Sequence, residues 1–233
     1  MSTKCVVLDA DNCLFLDEKT GEGSEEIKDE AWYSVFPEHS RETLDSAMRA
    51  ARGNLASFTA GQADRQDLVR EVCRYFRISN EQVEDEVVRR RDHFNRVVQE
   101  GIQQIGMPAQ KRAALAQLSG AMPLYVNTAT PLDAARESLD ALGLSPLLKG
   151  MYGRPGTKLG NLQEIIRVEG LDPTEVLVVD DQPTGWSVAQ QLGCRFVGIR
   201  TERNRAWHDT PQPFPIIRSL SELPALILSE KKQ

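Results

Sequence analysis

The sequence predicts an α/β fold built on a parallel sheet, with a long helical insertion near its start. Three observations carry that expectation. Short, continuous apolar runs rich in Val, Leu and Ile recur at 5–9, 123–127, 176–181 and 195–199, as in parallel strands covered on both faces. Helix-period segments lie between the later runs. The stretch from about 15 to 107 is instead polar and helix-prone, with no strand-like run.

The first run, "CVVLD", leads straight into Asp9-Ala10-Asp11. In the insertion, "SRETLDSAMRAARGN", "RQDLVREVCRYFRI" and "NEQVEDEVVRRRDHFNRVVQEGI" read as amphipathic helices. "GNLASFTAGQAD" reads as a loop between two of them, marked by Gly53, Gly61 and Asp64. Trp32, Tyr33 and Phe36 read as core of the insertion, and Arg89-Arg90-Arg91 as a solvated helix face.

The next run, "PLYVN", is followed by "PLDAARESLDALGL". This places Leu132, Ala135, Leu139 and Leu142 on one stripe, opens at Pro131 and stops at Gly143. "KLGNLQEIIRVEG" is a helix ending at Gly170, and "PTGWSVAQQLGC" one ending at Gly193. "VLVVDD" and "RFVGI" are the strands that follow them. The tail "PFPIIRSLSELPALIL" suggests a short strand near 215–217 and a last helix from about Ser221.

Composition narrows the function classes. At 233 residues the chain can bury a sizeable core, as one large domain or a domain with an insertion. A formal net charge of -6 argues against a general nucleic-acid binder. Cys5, Cys13, Cys73 and Cys194 are scattered without a CxxC pair, so they read as reduced thiols of a cytoplasmic protein. No apolar segment approaches the roughly 18 residues of a membrane span, and no signal peptide is visible. His39, His93 and His208 show no ligand spacing.

Ligands of open α/β sheets sit beyond the carboxyl ends of the strands. There the sequence puts Asp9 and Asp11, then Asn127, Thr128 and Thr130, then Asp180 and Asp181, with Lys158 opening a helix. Clustered carboxylates repel unless a cation neutralises them, and hard oxygen ligands without histidine or thiolate favour Mg²⁺. A lysine and backbone N–H groups at a helix start suit a phosphate dianion. One carboxylate can serve as nucleophile and its neighbour as general acid and base.

In these motifs the sequence resembles the haloacid dehalogenase superfamily, in its phosphatase branch with a helical cap. The family's strand with an Asp-x-Asp pair matches Asp9-Ala10-Asp11. Its strand-ending Ser or Thr matches Thr128 in "YVNTATP", with Asn127 and Thr130 competing. Its lysine matches Lys158 in "GRPGTKLGNL", and its acidic pair matches Asp180-Asp181 in "VLVVDDQPTG". The resemblance covers about 3–16 and 107–228, with the four motifs in order.

The resemblance implies a Rossmann-like doubly wound core over 1–16 and 107–233 and an all-helical cap over 17–106. It implies that Asp9 attacks phosphorus while Asp11 protonates the leaving group and then activates water. Mg²⁺ would be held by Asp9, the backbone carbonyl of Asp11, and Asp180 or Asp181. Thr128 and the N–H of Ala129 would hold phosphate, with Lys158 neutralising charge. Relatives that act as dehalogenases lack an acid at the position of Asp11, so Asp11 favours phosphate-ester chemistry. The implied substrate is a small phosphorylated metabolite, and the implied assembly a monomer or homodimer.

A mutase resembling β-phosphoglucomutase uses the same residues, and a non-catalytic phosphate-binding protein could share the fold. Arg65, in "GQADRQD", could reach an anionic substrate or be a plain surface arginine. Asn12-Cys13 departs from the family's usual Gly or Asp followed by Thr. No histidine neighbours Cys13 in sequence to make it a nucleophile.

Overall fold

A computed structural model of the chain describes residues 2–59, 65–205, 207 and 210–228. Gly61, Asp64 and His208 lie outside the described residues. The chain divides into two compact units, one of residues 1–25 and 102–233 and the other of 26–101. Residues 17–25 and 102–106, expected in the insertion, belong to the first unit.

The first unit holds a six-stranded sheet in which every pairing is parallel. Its strands are β1 (Cys5–Leu8), β4 (Leu124–Pro131), β5 (Gly150–Arg154), β6 (Val176–Asp180), β7 (Arg195–Ile199) and β8 (Ile216–Ile217). Their order is β5-β4-β1-β6-β7-β8. This is the doubly wound, Rossmann-like arrangement, in which the winding reverses at β1. A ligand crevice is expected at the carboxyl end of β1 and its neighbours.

Of the helices around the sheet, those beside the later strands follow the sequence pattern, and the first was not singled out by it. They are α5 (Ala109–Ser119), α6 (Leu132–Ala141), α7 (Lys158–Glu169), α8 (Pro183–Leu192) and α9 (Leu223–Leu228). Gly170 and Gly193 end α7 and α8 in left-handed conformation, with φ of 62° and 77°. Cys5, Val7, Val176 and Val178 pack with Leu162, Ile165, Ala189 and Phe196 in one apolar cluster. The alternate residues Val6, Leu8, Leu177 and Val179 face the other side of the sheet and are also buried. Burial on both faces explains the unbroken apolar runs.

Besides α5, the sequence expectation did not single out strand β5 or a small hairpin. Strand β5 is "GMYGR", with two glycines and no β-branched residue. A Cβ on Gly150 would come within 2.8 Å of the Tyr125 ring, and one on Gly153 within 2.6 Å of the Thr130 carbonyl. Close packing against β4 therefore replaces β-propensity there. A small antiparallel hairpin, β2 (Leu16–Asp17) with β3 (Glu22–Gly23), follows the Asp-x-Asp turn.

The helices α1 (Ser24–Val35), α2 (Arg41–Thr59), α3 (Arg65–Tyr75) and α4 (Asn80–Ile105) supply the second unit. Helix α2 runs through Gly53, where a loop was expected. A Cβ on Gly53 would meet nothing within 4 Å. Its cost is then only the modest helix penalty of glycine, about 1 kcal/mol, set against the buried Leu44, Ala47, Met48 and Ala51 of the preceding turns.

Trp32 and Phe36 are buried, and Trp32 packs on Phe94 with centroids 4.8 Å apart. Tyr33 is only partly buried and donates to Asp45 over 2.8 Å. Among the described residues no helix is long and apolar enough to cross a membrane. All four cysteines are buried and free.

The basic run is not uniformly solvated. Arg90 is 5% exposed. Its guanidinium donates to Glu38 and Glu86 over 2.6 and 2.7 Å, donates to the Val35 carbonyl, and lies over the Phe36 ring. Val83, Val87, Phe94 and Val98 are buried on the same helix. Arg90 thus sits on the apolar stripe at helical spacing, which was the available sequence signal.

Substituting Arg90→Met strands a buried carbonyl and removes two ion pairs, so it should lower unfolding free energy by about 2 kcal/mol in urea titrations at pH 7. Burial raises the Glu38 pKa, but Arg90 outweighs it and holds it below the ordinary 4.5. Glu86 is held down by Arg89 and Arg90 against burial. A depressed carboxylate stabilises the fold above its unfolded pKa and loses that contribution as pH falls through its folded one. The gap between wild type and variant should therefore narrow as pH falls below 4.5.

Candidate active site

The carboxyl ends of β1, β4 and β6 bring the expected residues together. Asp9 follows β1 and is 4% exposed, with its backbone N–H held by the Val179 carbonyl at 2.9 Å. Asp180 ends β6 and Asp181 follows it, both buried. One carboxylate oxygen from each of Asp9, Asp180 and Asp181 lies within 4.8 Å of the others.

Lys158 enters from the first turn of α7. Its Nζ lies 3.0 Å from Asp9 Oδ1 and 2.6 Å from Asp180 Oδ2. The helix start is fixed by its cap and by two asparagines. Thr157 Oγ1 accepts from Gly160 N–H at 3.0 Å. Asn127 Nδ2 donates to the Lys158 carbonyl at 2.8 Å, and Asn161 Nδ2 donates to Asn127 Oδ1 at 3.1 Å. Asn127 therefore anchors the lysine-bearing turn, an assignment its strand-end position alone did not give.

The acidic pair divides its duties. Asp180 Oδ1 accepts from Gln182 N–H at 2.9 Å, and its Oδ2 takes Lys158. Both Asp181 oxygens are buried with no hydrogen-bond partner among the described residues. Its backbone carbonyl is held instead, by Asn204 Nδ2 at 2.8 Å. Asn204 also donates to the Ile199 carbonyl at 2.6 Å and so ties the β6 and β7 ends together.

The charges are unbalanced. Burial raises the Asp9 pKa to about 8, with Asp180 and Asp11 adding to it and Lys158 opposing it. Burial, then Asp9 and Asp180, raise the Asp181 pKa to about 9. Burial works against the Lys158 charge, but Asp9 and Asp180 outweigh it and hold its pKa above the ordinary lysine value. An orphaned, buried Asp181 beside Asp9 is a donor set that fits a hard divalent cation.

Asp11 is held separately. Its Oδ1 accepts from Ser24 Oγ at 2.7 Å and its Oδ2 from Thr130 Oγ1 at 2.6 Å. Thr128 is 1% exposed, and its Oγ1 accepts from Thr130 N–H at 3.1 Å. Ala129 is exposed. The pairing of β4 with β5 slips between Asn127 and Pro131, which gives this segment its local shape.

Asn12 has a positive φ of 51° and is fully buried. Its Oδ1 accepts from Glu25 N–H at 2.9 Å in the first turn of α1. A Cβ on Gly23 would lie 2.5 Å from that oxygen. Cys13 is buried and its thiol pKa is raised well above the ordinary value, chiefly by burial, which leaves it a poor nucleophile.

Arg65, expected in a loop, opens α3 of the second unit. Its Nη1 donates to Asn95 Oδ1 at 2.7 Å, and its guanidinium lies 4.2 Å from the Phe94 centroid.

No family model matches the chain, and no curated protein matches it. Solved structures do. The chain is similar to a 2-haloacid dehalogenase from Pseudomonas syringae pv. Tomato, at 18% identity over 98% of this chain and 99% of that one, with a TM-score of 0.68. It is similar to a provisionally assigned beta-phosphoglucomutase from Thermotoga maritima, at 17% identity, 98% and 99% coverage and a TM-score of 0.67. A provisionally assigned HAD hydrolase, YfnB from Bacillus subtilis bound to magnesium, gives 16% identity, 97% and 99% coverage and a TM-score of 0.64. At these identities the likeness is one of fold. The chain has the α/β fold of haloacid dehalogenase-like hydrolases.

Helix α8 approaches the site through Gly185. A Cβ there would lie 2.1 Å from Asp180 Oδ2. Gly185→Ala should cost about 1–3 kcal/mol of stability. Adding Asp180→Ala should relieve part of that cost, because the carboxylate struck by the methyl is gone. Urea unfolding of both variants, with Asp180→Ala alone as reference, measures the coupling.

Proposed function

We propose that the protein is a Mg²⁺-dependent phosphohydrolase that cleaves phosphate monoesters of a small metabolite through an aspartyl-phosphate. The observation that carries this reading is the pairing of a lysine-bridged Asp9 with an orphaned Asp181, 4.8 Å or less away. Asp9 and Asp181, with the backbone carbonyl of Asp11, would hold the cation. Asp180 is already committed to Lys158 and to Gln182 N–H. A bound Mg²⁺ supplies positive charge to the phosphoryl oxygens and screens the carboxylates from one another.

The chain's own residues do the rest. An Asp9 oxygen attacks phosphorus, and the leaving oxygen takes a proton from Asp11. Asp11 then accepts a proton from the water that attacks the aspartyl-phosphate. Microscopic reversibility gives one residue both tasks. Thr128 Oγ1 and the N–H of Ala129 bind phosphoryl oxygens, and Lys158 neutralises charge that develops there. The helical unit of residues 26–101 is read as a cap that selects the substrate. Arg65 is assigned no substrate contact, since Asn95 and Phe94 engage its guanidinium.

A carboxylic acid at Asp11 favours ester cleavage over dehalogenation, because a halide leaves without a proton. The likeness to a beta-phosphoglucomutase supports a second reading, a phosphosugar mutase with the same residues. A bisphosphate requirement with little net hydrolysis would replace the first reading with the second.

Phosphate release from sugar phosphates, nucleotides, phosphoglycolate and 4-nitrophenyl phosphate should require Mg²⁺ and stop with a chelator. Asp9→Asn should abolish it, and Asp11→Asn should slow it by about 10²–10⁴-fold. Turnover by Asp9→Asn, or with chelator present, would refute the mechanism.

Thermal denaturation gives a check independent of turnover. Mg²⁺ should raise the Tm of the wild type, and Asp181→Asn should lose that rise.

A further inference from the structure

Lys111 is 1% exposed, in the first turn of α5. It lies on one stripe with the buried Ala114, Leu115 and Leu118, a position that helical spacing reserves for an apolar side chain. Helix stability does not favour a cation there. The first turn is the positive end of the helix dipole, and α5 carries no acidic residue in that turn. Burial lowers the Lys111 pKa, with Glu18 opposing the shift from 3.8 Å.

The compensation lies in the turn after Asp11. Lys111 Nζ donates to the carbonyls of Leu14, Cys13 and Leu16 at 2.8, 3.2 and 3.4 Å. These acceptors match the three N–H donors of an ammonium. The turn is itself tight: Phe15 N–H and Cys13 N–H both donate to the Ala10 carbonyl, at 3.0 and 3.4 Å. The turn is therefore pinned at its far end by Lys111 and at its near end by the hydroxyls of Ser24 and Thr130 on Asp11.

We infer that Lys111 is a positioning residue, which fixes the 13–16 turn and through it the carboxylate of Asp11. The inference rests on the phosphohydrolase reading, in which Asp11 is the acid. Asp9 is held by β1, β6 and Lys158, outside this clamp. Loosening the clamp should therefore impair proton transfer to the leaving group more than attack on phosphorus.

The test is single-turnover release of the leaving group by Lys111→Met. One substrate is an alkyl phosphate, whose alkoxide needs a proton. The other is 4-nitrophenyl phosphate, whose phenolate does not. The expected result is a loss of about 10- to 100-fold on the alkyl ester, a much smaller loss on the aryl ester, and KM changed little for either. If Lys111→Met does not fold, Lys111→Gln keeps two N–H donors and should show the same selectivity in weaker form.

Equal losses on the two esters, or unchanged rates with only a lower Tm, would overturn the inference and leave the phosphohydrolase reading standing. A wild type inactive on both esters would overturn both.

Discussion

One constraint organises the first unit: among the described residues, Asp9, Asp180 and Asp181 are buried together at one end of a parallel sheet with Lys158 between two of them. Repulsion within such a cluster works against folding. Lys158 compensates two of the three acids, so the stability of the cluster depends on its placement between them. The surrounding polar contacts serve that placement. Thr157 caps the helix that carries it, and the Asn161–Asn127 pair anchors its carbonyl. Gly185 leaves the space that Asp180 fills, and Gln182 N–H takes the oxygen that Lys158 leaves free. The uncompensated remainder falls on Asp181, which is why the proposed cation would be held there rather than by Asp180.

Asp11 is governed by a different set of contacts. The sheet fixes Asp9, but Asp11 lies beyond it, in a turn with a left-handed residue at Asn12. That turn is tied to the first turn of α1 through Ser24 and Glu25, to β4 through Thr130, and to α5 through Lys111. Asn12 belongs here because asparagine tolerates a positive φ and supplies the oxygen that accepts from Glu25 N–H. Cys13 fills buried space beside it.

Much of this was legible in the sequence, for identifiable reasons. Central parallel strands are buried on both faces, so β1, β4, β6 and β7 announce themselves as unbroken apolar runs. Asp9, Asp11, Lys158, Asp180 and Asp181 could be singled out because they stand at the ends of those runs or open a helix beside them. Strand β5 was missed because its glycines are chosen by the Tyr125 ring and the Thr130 carbonyl, contacts distant in sequence. The hairpin of β2 and β3 was missed because two-residue strands carry no periodicity. Asparagine at position 12 suits a turn, but its acceptor role was not legible, since that oxygen serves a residue at a sequence distance of 13. Arg90 and Lys111 did give one. Each interrupts an apolar stripe at helical spacing, where a charge must either break the helix face or find partners inside.

That last pattern separates the two buried cations by what they hold. Arg90 joins Glu38, Glu86 and the Val35 carbonyl, within a helical unit that contains none of the four motif positions. Its contacts account for stability and need no further role. Lys111 spends its hydrogen bonds on carbonyls within five residues of Asp11. Fold likeness alone joins the chain equally to dehalogenases and to phosphoryl-transfer proteins, so the choice between them belongs to the site. It turns on whether a carboxyl group stands two residues beyond the nucleophile and is held still. A halide leaves without a proton, so dehalogenation makes no demand on such a group, whereas an alkoxide leaving group does.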